Sequence, residues 1–212
     1  MIIRPSPYKL CGNCGKKGKA STSFACTPSG RATTPPSRPS SRRPSPSPWC
    51  TTAGTERAFQ SGKPQAVRDY VKKVKDHGIL AGVSTHCPDT IKRVMDEGWE
   101  NDFFMGSFYY LTRPREEMEK RLGKVPVGEP FFESDPLEMT AALRQVSKPC
   151  LAFKLLAAGR LCWTRPSVEE AFKFAFANIK PIDAVIVGMF PRFSDQVRHN
   201  ADYVRKYGVV RA

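Results

Sequence analysis

The sequence predicts an α/β fold, half of a (β/α)8 barrel with about four parallel strands and their helices, behind a disordered N-terminal segment. Three observations lead there. Helix-like and strand-like patterns alternate from about residue 64 onward. The strand-like runs are short and apolar throughout, as suits parallel strands buried on both faces. Before residue 64 the chain is Ser, Thr, Pro, Gly, Arg and Lys with almost no apolar periodicity.

The first segment sets aside several functions. Nine of the 19 prolines fall in residues 1–63, in runs such as Pro35-Pro36-Ser37-Arg38-Pro39. So little apolar surface cannot offset chain entropy, and residues 1–60 are expected to be disordered. The net charge of +14 is concentrated here, with 11 Lys/Arg against the single acid Glu56. The remainder is only mildly basic, which gives no support to a specific nucleic-acid partner. Arg42-Arg43 lacks the apolar run of an export signal, and no stretch is apolar enough to span a membrane, so a cytoplasmic location is expected. The seven cysteines follow no framework spacing, and reduced thiols are expected. Cys11-Gly12-Asn13-Cys14 has zinc-knuckle spacing without a second pair, so no metal site is assigned.

The elements follow in order. Val67, Tyr70, Val71 and Val74 recur at helical spacing, and Gly78 can end that helix. Ile79 to Ser84 reads as the first buried strand. Pro88 opens a helix through Ile91, Val94 and Met95 to Gly98, and Asp102 to Phe108 is the second strand. Arg115 to Leu122 is a charged helix, and Pro136 opens another with Leu137, Ala141 and Val146. Strand three is Cys150 to Phe153. Ser167-Val168-Glu169-Glu170 resembles a capping box before Ala171, Phe172, Ala175 and Phe176. Ala184 to Gly188 is strand four, and a last helix from about Ser194 carries Val197, Ala201 and Val204. The strands, at about 79–84, 102–108, 149–154 and 183–188, should form one parallel sheet in sequence order. Four strands alone leave two bare edges, through which the chain could self-associate.

In this order the residues resemble the C-terminal half of the aldo-keto reductases over roughly residues 60–207. Gly82-Val83-Ser84-Thr85 is similar to that family's Gly-Val-Ser-Asn strand end. Asp102-Phe103-Phe104 through Leu111-Thr112-Arg113 matches its next strand and turn. Leu151-Ala152-Phe153-Lys154-Leu155-Leu156 with Gly159 resembles its Ile-Ala-Tyr-Ser-Pro-Leu and following Gly. Val185 to Gly188, then Gln196 and Asn200, resembles the last strand and the Gln-x-x-Glu-Asn helix. The resemblance implies an NADP- or NAD-dependent oxidoreductase acting on a small carbonyl compound. It implies that Ser84 and Thr85 face the nicotinamide amide, that Phe153 replaces the ring-stacking Tyr, and that Lys154 pairs with a phosphate. Gly188 is counted among the cofactor-binding residues, and Arg192, Gln196 and Asn200 would border the adenosine end, with free N–H groups near Ser194 for phosphate. Met105 stands where the family has an amide-binding Gln, and the loop after Gly188 is about two residues longer.

No catalytic residue is assigned. The family's catalytic Asp, Tyr, Lys and His lie on the first four strands, and residues 1–63 offer none of them. His77 and His199 fall on helices as solvated residues, and only His86 follows a strand end. The first 54 residues can be read as a shifted reading frame, in which Pro48 to Ala53 becomes Met-Val-His-His-Gly, a strand ending in His. On this reading the chain is a truncated oxidoreductase. Two alternatives stand beside it. One is an aldolase-type lyase with Lys154 as Schiff-base residue; the other is a non-catalytic cofactor-binding fragment.

Overall fold

The computed structural model describes residues 2–3 and 49–208. Its elements are β1 (Ile2–Ile3), β2 (Trp49–Cys50), α1 (Thr52–Gln60), α2 (Gln65–Asp76), β3 (Gly82–Thr85), α3 (Pro88–Asp96) and β4 (Phe103–Ser107). They continue with α4 (Arg115–Leu122), α5 (Asp135–Gln145), β5 (Cys150–Phe153), α6 (Arg165–Asn178), β6 (Ala184–Ile186) and α7 (Gln196–Tyr207). The strands form one sheet in the order β1-β6-β5-β4-β3-β2. β3 to β6 pair in parallel and in sequence order, as the alternation predicts. The two edges that four strands would leave bare are each met: β2 runs parallel to β3 and β1 runs antiparallel to β6.

One face of this sheet is sealed. Val83, Phe104, Cys150, Ala152 and Val185 are fully buried on alternate positions, as expected where helices cover a sheet that always steps in one direction. α5 sets the closest approach. A Cβ on Gly106 would come within 2.9 Å of the Leu143 Cδ2 and 3.1 Å of the Met139 sulfur, so this position of β4 admits only glycine without repacking. On the other face the Phe103 ring lies across Gly82 and would collide with any side chain there.

The starts of the strands are pinned by carboxylates. Asp102, just before β4, accepts the Ala81 N–H at 2.7 Å and an ammonium bond from Lys75, also at 2.7 Å. Asp183, just before β6, accepts the Cys150 N–H at 2.8 Å and is paired with Lys180 at 2.9 Å. Further along, the fully buried Arg113 side chain grips Asp135 at 2.6 Å, while Asp135 also accepts the Tyr110 N–H at 3.1 Å. That pair fixes the loop leaving β4.

Several expectations are corrected. Within the stretch expected to be disordered to residue 60, Thr52–Gln60 is helical with Thr51 as its cap. The helix has no apolar stripe to announce it; its fully covered residues are Thr55 and Glu56. The first strand begins at Gly82, leaving Leu80 68 % exposed. The capping box of α6 sits one turn early: the Thr164 hydroxyl accepts the Ser167 N–H, and Pro166 presets the first turn. The last helix is capped by Asp195, whose side chain accepts the Arg198 N–H. Residues 4–48, with Cys11, Cys14 and the Pro/Ser/Arg-rich runs, lie outside the described residues, as does most of the stretch whose reading frame is in question. No helix among the described residues is long and apolar enough to cross a membrane.

Candidate functional site

The C-terminal ends of β3, β4 and β5 gather the chain's titratable side chains. At the tip of β3, Thr85 is fully buried and donates its hydroxyl to Glu56 Oε1 at 2.6 Å. The same carboxylate oxygen accepts the His86 N–H at 2.7 Å, and the Thr85 oxygen accepts the Cys87 N–H at 3.0 Å. Ser84 shares a 2.6 Å hydrogen bond with the Thr52 hydroxyl. α1 is thus tied to the strand tip by two side chains. Sequence patterning did not single out Glu56, although it is the lone acid in a strongly basic stretch.

His86 stands just beyond. Its imidazole packs on the Phe153 ring with centroids 5.7 Å apart. Burial and the neighbouring Lys154 charge hold its pKa down to about 4. Lys154, at the end of β5, adopts a left-handed backbone with φ 61, a conformation uncommon for a residue with a side chain. Tyr110 follows β4 close to Cys87; burial first, then its contact with that thiol, pushes its phenol pKa upward.

A second site lies beyond β6. A cavity of about 260 Å³ is lined by residues from the loop after β5, from α6 and from α7, among them Arg165, Gly188, Gln196, His199 and Asn200. Asn200 is 5 % exposed, and its carboxamide makes no hydrogen bond among the described residues. Its carboxamide atoms are not closed off from solvent and open onto the cavity, where a ligand's polar edge can meet them. Arg165 adds positive charge and His199 an imidazole, and the 87 % exposed Trp163 forms part of the wall.

The eight residues that the resemblance singled out therefore divide. Gly188, Gln196 and Asn200 share the cavity. Ser84, Thr85, Phe153 and Lys154 stand at the tips of β3 and β5. Arg192 joins neither set: it is exposed, with its guanidinium 5.5 Å from the Phe193 ring. The hydroxyl of Thr85 is used up inside the chain, donating to Glu56 and accepting from Cys87. The helix start near Ser194 is also partly used, since Asp195 takes the Arg198 N–H and the Gln196 N–H turns to Ser194 O at 2.8 Å. His199, half-buried, is one of the residues lining the cavity. Arg165 was missed because it sits outside the matched motifs; the Thr164-Arg165-Pro166 helix start was its only signal. No family model, curated protein or solved structure matches the chain.

Proposed function

We propose that residues 49–208 are the cofactor-holding half of an aldo-keto-reductase-like (β/α)8 oxidoreductase, taking NADP or NAD and acting on a small carbonyl compound. The observation that carries this reading is the shared cavity. Three residues named from motif order alone, Gly188, Gln196 and Asn200, line one space with an arginine and a histidine. A nucleotide base fits that donor set: Asn200 offers both a donor and an acceptor to a base edge, and Arg165 offers charge to a phosphate. The cavity suits the adenosine end, with the rest of the dinucleotide running toward the tips of β5 and β3. Bound there, the dinucleotide supplies hydride. Phe153 would offer it a flat ring, and Ser84, whose hydroxyl bonds only Thr52, a polar neighbour. No described residue is assigned the proton transfer, so action on the carbonyl compound needs groups beyond the described residues.

The test is NADPH fluorescence titration of the 212-residue chain. Saturable binding is expected, weakened about tenfold in Asn200→Ala and in Arg165→Ala, the loss of one good polar contact each. Absence of binding by the wild-type chain, or wild-type affinity in both variants, overturns the reading.

A further inference from the structure

Two groups at the strand tips are left without partners. Both ring nitrogens of His86 are closed off from solvent and make no hydrogen bond among the described residues. Lys154, part-buried and held in its left-handed turn, has no ion pair or side-chain hydrogen bond there either. Native chains leave few buried nitrogens unmet, so those of His86 call for an explanation, while the half-exposed Lys154 ammonium is open to a ligand. The Phe153 ring packs on the imidazole at 5.7 Å, and the charge of Lys154, the next residue, acts on the same imidazole, so the half-exposed cation and the closed-off imidazole share one corner of the sheet.

Their surroundings limit what could satisfy them. Glu56, on α1, has one carboxylate oxygen occupied by the Thr85 hydroxyl and the His86 N–H. Cys87 and Tyr110 lie beside each other, one after β3 and one after β4, and neither adds positive charge. Two donors without acceptors remain. A planar group with two anionic oxygens meets both, one oxygen to each, in charge-assisted bonds.

We infer that His86 and Lys154 form a receptor for a carboxylate, which makes the carbonyl substrate of this chain an acid. The assignment of that acid as a reductase substrate rests on the proposed function; the carboxylate site itself rests on the two residues. Lys154 then meets substrate and not a cofactor phosphate, in keeping with its absence from the cavity lining. His86 as a whole is only part-buried, so a turn of its side chain can present a nitrogen to the ligand. An anion beside it favours the imidazolium, so binding takes up a proton.

Isothermal titration of the full chain with oxamate, which carries one carboxylate, and with its neutral diamide oxamide tests this. Oxamate is expected to bind at least tenfold more tightly at pH 5 than at pH 7, and oxamide not to bind. Lys154→Ala should lose about tenfold at both pH values, and His86→Gln should lose the pH dependence. If His86→Gln does not fold, the imidazole resonance of the wild-type chain decides: saturating oxamate must raise its titration midpoint. Equal binding of oxamide, no binding of oxamate, or tighter binding of inorganic phosphate overturns the carboxylate receptor. NADPH titration of the same sample separates the two readings. NADPH binding without oxamate binding removes the receptor alone, and oxamate binding without NADPH binding keeps the receptor while removing the oxidoreductase.

Discussion

Glu56 and Thr85 lie 29 residues apart and share a buried 2.6 Å hydrogen bond that joins the first full helix to the tip of the strand after it. The carboxylate also takes the His86 N–H. It accordingly fixes the backbone on which the strand-end cluster stands.

Glu56→Ala is expected to lower stability by about 2–3 kcal/mol, since it strands a buried hydroxyl and a backbone N–H together. Glu56→Gln should cost less, about 1–2 kcal/mol, because its amide oxygen can still accept one bond. Urea unfolding followed by circular dichroism gives both values. A change below about 0.5 kcal/mol in Glu56→Ala would show that α1 is not anchored through this residue.

Stability should fall with acid through His86. Its folded pKa of about 4 lies below the ordinary 6.5, so the unfolded chain takes up this proton first. Nothing is lost above pH 6.5. Between pH 6.5 and 4 the folded state loses on the order of 3 kcal/mol, and no more below that window. His86→Phe should flatten the pH profile of unfolding over this range. An unchanged profile in the variant would mean that other groups set the acid limit.

Thiol reactivity should follow burial. Cys150 is fully buried and its pKa is pushed up to about 12, by desolvation first and then by Asp183. Cys162 is exposed, and burial raises its pKa as well, though part of it faces water. Iodoacetamide at pH 8, with the adducts mapped by mass spectrometry, should label Cys162 in the folded chain and Cys150 only in denaturant. Labelling of Cys150 without denaturant would place β5 away from the sealed face.

Removing one half of the buried Arg113–Asp135 pair should be costly. Asp135→Ala is expected to lose about 2–3 kcal/mol, because it removes the nearest partner of the buried Arg113 and the acceptor of the Tyr110 N–H, leaving Arg113 with Glu117 at 3.3 Å and Glu138 at 3.7 Å. Asp89→Ala, which breaks the exposed pair with Lys92, should change stability by less than about 0.5 kcal/mol. Comparable losses in the two variants would contradict the difference in burial.

The chemistry at Lys154 separates two enzyme classes. With an aldehyde or ketone and borohydride, no adduct is expected on Lys154 if it only pairs with a carboxylate. A stable mass increase there would turn the reading toward a Schiff-base lyase.

The four strands β3 to β6 were legible because each is a short apolar run between helical patterns, a signal that the two-residue β1 and β2 are too short to carry. Their order followed from the right-handed crossover rule. Boundaries moved where side-chain bonds decide them. Asp102 takes the Ala81 N–H and so delays the first strand, and Thr164 reaches Ser167 and advances α6 by a turn. α1 was illegible because the residues it buries are Thr55 and Glu56, the latter through hydrogen bonds, and periodicity records only apolar burial. In the site, motif order brought Gly188, Gln196 and Asn200 together. It did not show that the Thr85 hydroxyl is already committed, since its partner lies in a segment with no helical signal.

Asp102 and Asp183 do the same job at two places, each reaching from the start of one strand to the backbone at the start of its neighbour. Both links span short stretches of sequence, 21 and 33 residues. Each can therefore close as soon as one strand, its helix and the next strand have left the ribosome. Assembly can proceed outward from any such module, and a nascent chain cut short after β4 or β6 would keep every clasp it had already made.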